Sequence, residues 1–287
     1  MAESLAQASL DVANEVTHVV RSTATGGSAT TMVDAAFPWF AGASSIPPAD
    51  YYNGGTIWFL SGSRASTTYT SNIVTDWAVT GQQGTATIAT GTAVANTDRY
   101  AIANKEFPRY LLWEAVNRAL DEIGNIDLED VSSLTTVANQ MDYDIPASLL
   151  TAEIKQVWIA TRTAAPYVYV ENTHWRRFDD DISFEQGYQP TMDDYIIKVI
   201  YNVAHTELTA DSGTIESGIP RELVKYLGAY YALDQRMRMV GLDQPEVAQT
   251  LAQKAAEARI KANRYMPQIE KAERSIISSG WGLVEVP

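Results

Sequence analysis

Residues 107–123 read Phe-Pro-Arg-Tyr-Leu-Leu-Trp-Glu-Ala-Val-Asn-Arg-Ala-Leu-Asp-Glu-Ile, and their spacing predicts a helix with one apolar face. Leu111, Leu112, Ala115, Val116, Ala119, Leu120 and Ile123 recur at three- and four-residue steps, which puts them on one side of a helix. Pro108 falls in the first turn, where its missing N–H costs nothing. Gly124 is placed to stop the helix. β-type sequence on both sides of this helix makes the chain α+β.

Toward the N-terminus, residues 1–15 predict a short helix with Leu5, Ala8, Ser9 and Val12 on one side. Residues 16–104 are poor in charge and rich in Thr, Ser, Gly and aromatics. Short β-type runs cover Val16–Ser22, Thr30–Val33, Thr56–Leu60, Thr67–Val74, Thr85–Ile88 and Arg99–Ile102. Turn signals such as Gly26-Gly27, Asn53-Gly54-Gly55 and Thr80-Gly81 separate them. This segment predicts an antiparallel sandwich or barrel inserted ahead of the helix at 105–125.

Toward the C-terminus, residues 126–209 predict a second β-rich region. Its strands are expected at Val131–Met141, Lys155–Thr161, Tyr167–Glu171, Ile182–Phe184 and Tyr195–His205, the last apolar enough to be buried on both faces. A helical pair is expected over 210–277. The first helix starts at Ile219-Pro220 with Leu223, Leu227, Tyr230, Tyr231, Asp234 and Met237 along one side, and Gly241 ends it. The second carries a seam of mostly small residues: Val247, Leu251, Ala255, Ala258, Ala262, Tyr265, Ile269, Ala272 and Ile276. Pro267 should bend or break that helix. Residues 278–287 form an apolar tail with Trp281, Leu283, Val284 and Val286, too broken by glycine to pack as helix.

The 287 residues carry a net charge of −14 and no cysteine. Disulfides, thiolate metal sites and cysteine nucleophiles are therefore excluded. Residues 1–209 hold the whole excess of acid at −14, whereas residues 210–275 sum to +1. Affinity for nucleic acid comes mainly from Lys and Arg neutralising phosphates, so tight DNA binding is not expected. The acidic N-terminus lacks the lysines of a signal peptide, and no run approaches the ~20 apolar residues of a membrane span. The expectation is a protein that begins in the cell that makes it, with no membrane partner.

No catalytic or cofactor constellation emerges. His18, His174 and His205 stand apart, without the close pairing of metal ligands. Asp179-Asp180-Asp181 lacks the glycine and terminal glutamate of an EF-hand loop and reads as a solvated turn, as do Asp127, Glu129 and Asp130. Phosphate-loop, dinucleotide and nucleophile-elbow motifs are absent. Ser61-Gly62-Ser63-Arg64 has two readings, a phosphate nest or a strand-end turn, and the turn is preferred. Trp39, Tyr51, Tyr52, Trp58, Tyr69 and Trp77 also have two, a sugar-stacking surface or core packing, with core packing favoured by strand alternation.

The order of these parts carries a resemblance. The segment Ala115-Val116-Asn117-Arg118-Ala119-Leu120-Asp121-Glu122-Ile123 resembles the asparagine-bearing helix of phage head-to-tail connector and adaptor proteins. The Ala-rich pair over Leu223–Ser275, with Tyr230-Tyr231, looks like the closing helices of that group. Ala49–Phe59 and Asp98-Arg99-Tyr100 are similar to a β-insertion of phage virion proteins. The resemblance implies a helical adaptor core with β insertions and a non-enzymatic structural role without cofactors. It implies a homo-oligomeric ring, commonly of twelve, that sits between the portal protein and tail or nozzle proteins of a virion assembled in the host cytoplasm. DNA would pass through without sequence-specific binding. The β-rich additions leave a carbohydrate-binding tail or collar module as the alternative. Expected partner-interface residues are Trp281, Leu283, Val284 and Val286 of the tail, with Ala258 and Tyr265 of the seam. The tail either packs on its own chain or docks on a partner; docking is favoured.

Overall fold

Ser4 turns the chain into its first helix: its side-chain oxygen accepts a hydrogen bond from Gln7 N at 3.2 Å, satisfying one of the donors a helix start leaves open. The computed structural model describes residues 3–38, 46–65, 69–216, 218–241 and 243–266. In chain order the first elements are β1 (Glu3–Ser4), α1 (Leu5–Val16), β2 (Val19–Thr23), β3 (Gly26–Gly27), β4 (Thr31–Asp34) and β5 (Thr56–Ser61). β6 (Thr70–Ile73), β7 (Asp76–Thr80), β8 (Gln83–Thr87), β9 (Arg99–Ala103) and α2 (Arg109–Ile123) follow. Next come β10 (Ile126–Thr135), β11 (Asp142–Asp144), a 3₁₀ turn at Ala147–Leu149, β12 (Glu153–Ala160), β13 (Tyr169–Asn172), β14 (Trp175–Phe178), β15 (Asp181–Phe184) and β16 (Ile196–Val203). β17 (Thr214–Ile215), α3 (Arg221–Val240) and α4 (Pro245–Asn263) close the described chain. The class is α+β, with every strand pairing antiparallel.

The chain divides into two compact units. The first holds Met1–Glu122 and Thr206–Pro267; the second holds Ile123–His205.

In the first unit, two four-stranded sheets, β2-β9-β5-β6 and β3-β4-β8-β7, share one core. Strand alternation assigns the faces. Ile57 and Phe59 of β5 enter that core with Met32, Trp77, Ala86, Tyr100 and Ile102. Trp58 points the other way and donates from Nε1 to Ser9 Oγ of α1 at 3.2 Å. Because both of its faces are covered, Thr56–Phe59 is fully buried. β7 is a strand that the sequence did not announce, since five residues opening on Asp76 carry little periodicity.

Helix α1 departs from expectation in a second way. Its buried residues are Leu5, Ala6, Ala8, Ser9, Leu10, Val12, Ala13 and Val16, so burial extends well beyond one side and the helix is central to its unit. α3 meets it with small residues. The buried side of α3 is Leu223, Val224, Leu227, Gly228, Ala229, Ala232 and Leu233, while Tyr230 and Tyr231 are half-buried. A Cβ built at Gly228 would lie 2.5 Å from Val12 Cγ2, closer than side-chain carbons approach. In α4 the small-residue seam is buried at Ala255, Ala258 and Ala262, but Val247 is 44% exposed. The described helix ends at Asn263. The predicted continuation through Ile269, Ala272 and Ile276 lies outside the described residues.

In the second unit, the sheets are β10-β16-β12-β13 and β11-β15-β14. Tyr143, Ile145, Leu149, Val157, Ile182, Phe184, Ile197 and Val199 form its core. β16 runs between β10 and β12, with Ile197, Lys198, Val199 and Ile200 buried, which is why its sequence is nearly continuous in apolar residues. The strand expected at Val131–Met141 is displaced: β10 begins at Ile126, stops at Thr135 and shifts register between Asp130 and Leu134. Asp130 Oδ1 accepts from the amides of Ser132 (2.8 Å) and Ser133 (3.0 Å), and this local bonding competes with the ladder. Asp179 and Asp180 form the two-residue turn between β14 and β15, with Asp179 at φ 50°.

The contact between α1 and α3 is testable. Gly228→Ala is expected to destabilise by ~1–3 kcal/mol through overpacking. In a thermal or urea melt, combining it with Val12→Ala should cost less than the sum of the two single changes, because the smaller side chain removes the clash.

Candidate assembly interface

Asn117 shows how the helix residues 107–123 acquire a structural task. Its Nδ2 donates to Leu208 O at 3.0 Å, and its Oδ1 accepts from Leu208 N at 2.9 Å. A side-chain amide that pairs with both backbone groups of one residue acts as a one-residue strand partner. It ties the segment that returns into the first unit onto α2. Asp211 does comparable work nearby. It accepts from Ser71 N (2.8 Å) and Ser71 Oγ (2.6 Å), lies 3.4 Å from Arg109, and its backbone oxygen accepts from Ala6 N.

The helices are bound laterally by ion pairs. Glu15 holds both Lys261 and Lys225, and both ammonium groups lie over the Tyr226 ring, at 5.2 and 4.7 Å. Tyr226 in turn stacks on Tyr265 at 5.9 Å between centroids. Glu122 pairs with Arg259 and accepts from Tyr231 OH at 2.7 Å. The hydrogen bond from Arg259 holds the Glu122 carboxyl below its usual range, whereas burial, and then the bond to Glu122, push the Tyr231 hydroxyl up to about 12. At the start of the chain Arg221 reaches both Glu3 and Asp11. Burial, reinforced by the negative charge of Asp11 and opposed by Arg221, raises the Glu3 carboxyl to about 8.

The predicted interface residues fall in two places. Ala258 is 3% exposed, on the helix that packs along α3. Tyr265 is half-buried on Tyr226. Trp281, Leu283, Val284 and Val286 lie outside the described residues. The structure therefore joins Tyr265 to the Tyr226–Lys225–Lys261–Glu15 group.

The alternatives for the sandwich are answered by its packing. Tyr52, Trp58 and Trp77 are at most 1% exposed. Trp77 meets Phe37 and Tyr52 edge-on, each at 4.9 Å. Tyr51 and Tyr69 are half-buried, and Trp39 lies outside the described residues. No stacking face for a sugar is formed by the three buried rings. The turn at Ser61–Arg64 is filled from within. Asp98 accepts from Ser63 N at 2.7 Å and Ser63 Oγ at 2.8 Å, and at Gly62, where φ is +103°, a Cβ would collide with Asp98 Oδ1. Arg64 is turned inward and donates to the carbonyls of Ala29, Thr92 and Ala89. The amide a phosphate would need already has its anion. Among the described residues, no three His, Asp or Glu side chains are grouped to hold a metal ion. His174 bonds Glu185 through Nδ1 at 3.0 Å and stacks on Tyr188.

A surface that the sequence reading passed over lies on the second unit. Tyr167, Val168, Val170, Tyr188 and Met192 are between 40% and 59% exposed. A cleft of about 340 Å³ lined by Ile159, Thr161, Tyr188, Met192 and Tyr195 opens beside the β12–β13 hairpin. The available signal was the run Thr161–Val170, whose only charged side chain is Arg162 in a region, 126–209, that is otherwise rich in charge.

The sequence profile of one family, described as SU10 adaptor protein, matches residues 92–279. The match spans β9, α2, the second unit, α3 and α4, and most of the sandwich precedes it. No curated protein matches the chain.

Two outcomes follow from these geometries. Asn117→Asp should destabilise the fold by ~1–3 kcal/mol, since it removes the donation to Leu208 O and sets a carboxylate against that carbonyl; chemical denaturation measures it. For Glu3, the unfolded chain ionises near 4.5 and the folded chain near 8. Its contribution is thus complete below pH about 4.5 and is lost as pH rises to about 8. Melting temperature should fall more between pH 5 and 8 in the native chain than in Glu3→Gln.

Proposed function

Because the chain belongs to the SU10 adaptor protein family, a family of phage head–tail adaptors, we propose that it joins the portal to the tail as a homo-oligomeric ring through which DNA passes. The observation that carries this reading is the family match, which covers α2 and both closing helices. In this reading the helix over 105–125 and the pair over 210–277 form the adaptor core. The regions at 16–104 and 126–209 are insertions on it, residues 1–15 lead into it, and 278–287 is the tail.

The role is structural, without catalysis or a cofactor. The ring is the twelve-membered one that the resemblance implies, assembled with portal and tail or nozzle proteins in the host cytoplasm and retained in the virion. Among the described residues no helix is long and apolar enough to cross a membrane. A net charge of −14 supports passage of DNA rather than its retention, since an acidic wall cannot replace the counterions of the phosphates. The tail residues Trp281, Leu283, Val284 and Val286 supply apolar area for another subunit, at ~1.5–3 kcal/mol for each large side chain buried. Tyr265 lies at the last described turn before that tail.

Negative-stain microscopy of the purified chain, alone and mixed with its phage portal, tests the reading. Closed rings seated on the portal are the expected result, and a chain that remains monomeric and unbound would overturn it. Deleting residues 278–287 should leave the melting temperature unchanged and abolish assembly.

A further inference from the structure

The four-stranded sheet of the second unit has two edges, and they are not alike. β10 is protected: its ladder is interrupted by the bulge at 131–133, and it carries Glu129 and Asp130. Bulges and charges of this kind keep an edge from pairing with another chain. β13 has neither a bulge nor a proline, and its one charge is Glu171. Thr161 N donates to Val168 O at 2.7 Å, so Thr161 and Val168 form a hydrogen-bonded pair. The register Ile159↔Val170 and Val157↔Asn172 makes these the next two such pairs by alternation. Tyr169 and Glu171 therefore direct their N–H and C=O groups away from β12, to the side where, among the described residues, the sheet has no further strand.

The apolar face of the sheet also runs out to this edge. Val157, Ile197 and Val199 lie in the core, with Ile159 packed against it. Val170, opposite Ile159, is on the same face and 58% exposed, and Val168, two residues earlier, is 47% exposed. An apolar face that reaches an open, unprotected edge is a template for one more strand.

We propose that residues 282–286 of a second copy of this chain add to β13 as that strand. This rests on the adaptor reading and names the acceptor for the tail. Leu283-Val284-Glu285-Val286 has the composition of a strand, and its period of two puts Val284 and Val286 on one face, where they extend the row of Val168 and Val170. Few charges oppose the pairing: Glu171 is the one charged residue of β13, Arg162 lies at the hairpin beside it, and Glu285 is the only charged residue in 275–287. The 16 residues between Met266 and Leu283 span up to roughly 55 Å, enough to reach a neighbour. Pro287 follows the strand and has no N–H to continue the ladder. Given by each copy to the next, the pairing repeats head to tail, which is the arrangement that closes a ring.

The chain has no cysteine, so introduced thiols are the only ones. Full-length Val170→Cys carrying a size tag is mixed with untagged full-length Val284→Cys under mild oxidation. The expected product is a mixed disulfide dimer on a non-reducing gel, and in the doubly substituted chain a ladder of linked copies. Glu171→Pro in the Val170→Cys partner removes an outward N–H while leaving the ladder to β12 intact, and should eliminate the mixed dimer with melting unchanged. Val286→Lys in the Val284→Cys partner should eliminate it without touching the second unit. An internally linked monomer from the doubly substituted chain would show the strand supplied by its own chain and overturn the proposal. Rings in the microscope without the mixed dimer would overturn it while leaving the adaptor reading in place, and the absence of both would overturn the two together.

Discussion

The first unit depends on how closely α3 can approach α1. Where Gly228 faces Val12 there is no room for even a methyl group, and that proximity lets one short helix be covered by strand, loop and helix at once. Trp58 of β5 reaches Ser9, Leu5 N donates to Gly213 O, and Glu15 collects lysines from α3 and α4. Each contact needs α1 to lie where Val12 and Gly228 fix it. The Ala-rich composition of α1 follows from the same requirement, since small side chains let neighbours come near from several directions while keeping interior packing dense.

Where regular pairing stops, single polar side chains take over. Asn117 completes the hydrogen bonding of Leu208, Asp211 that of Ser71, and Asp98 that of Ser63 and Ala95. Arg64 gathers three carbonyls from the loops around it. Buried backbone groups without partners are costly, and a sandwich inserted ahead of a helical region creates several such strand ends. Apart from the local bond between Asp98 and Ala95, these contacts join residues 25 to 140 positions apart, so their removal would be felt in parts of the chain remote in sequence.

Elements with strong local signals were legible: α2 from its apolar stripe, β16 from its apolar run, α3 and α4 from helical spacing bounded by Pro220, Gly241 and Pro245. The burial of Trp58 and Trp77 also agrees with strand alternation. What escaped was set by tertiary contact. The burial of Ala6, Leu10 and Ala13 cannot be read from α1 alone, because alanine is compatible with a buried or an exposed face. The early start of β10 was hidden because Asp127, Glu129 and Asp130 read as loop; Asp127 is in fact held by Lys155 and Asn202, and Glu129 by Lys198. Tyr230 and Tyr231 looked like a core face and are instead half-buried, Tyr231 with its hydroxyl on Glu122 and Tyr230 with its ring against Arg259. The edge of β13 likewise exists only once the sheet is assembled, so no local pattern in the sequence announces it.

Charge sets the terms on which copies of this chain can meet. At −14 each, two copies repel over any acidic surface, and salt shortens the range of that repulsion without removing it at contact. Many of the acids are already committed within the fold: Asp34 to Tyr100, Asp98 to Ser63, Asp127 to Lys155, Glu15 to two lysines and Glu122 to Arg259. They stabilise the subunit and offer little to a neighbour. Contact between copies is thus least opposed where acid is missing. Residues 161–170 carry no acid, with Glu171 following directly, and 275–287 carry one, Glu285. Attachment through them would rely on backbone hydrogen bonds and apolar burial, which draw no strength from the net charge.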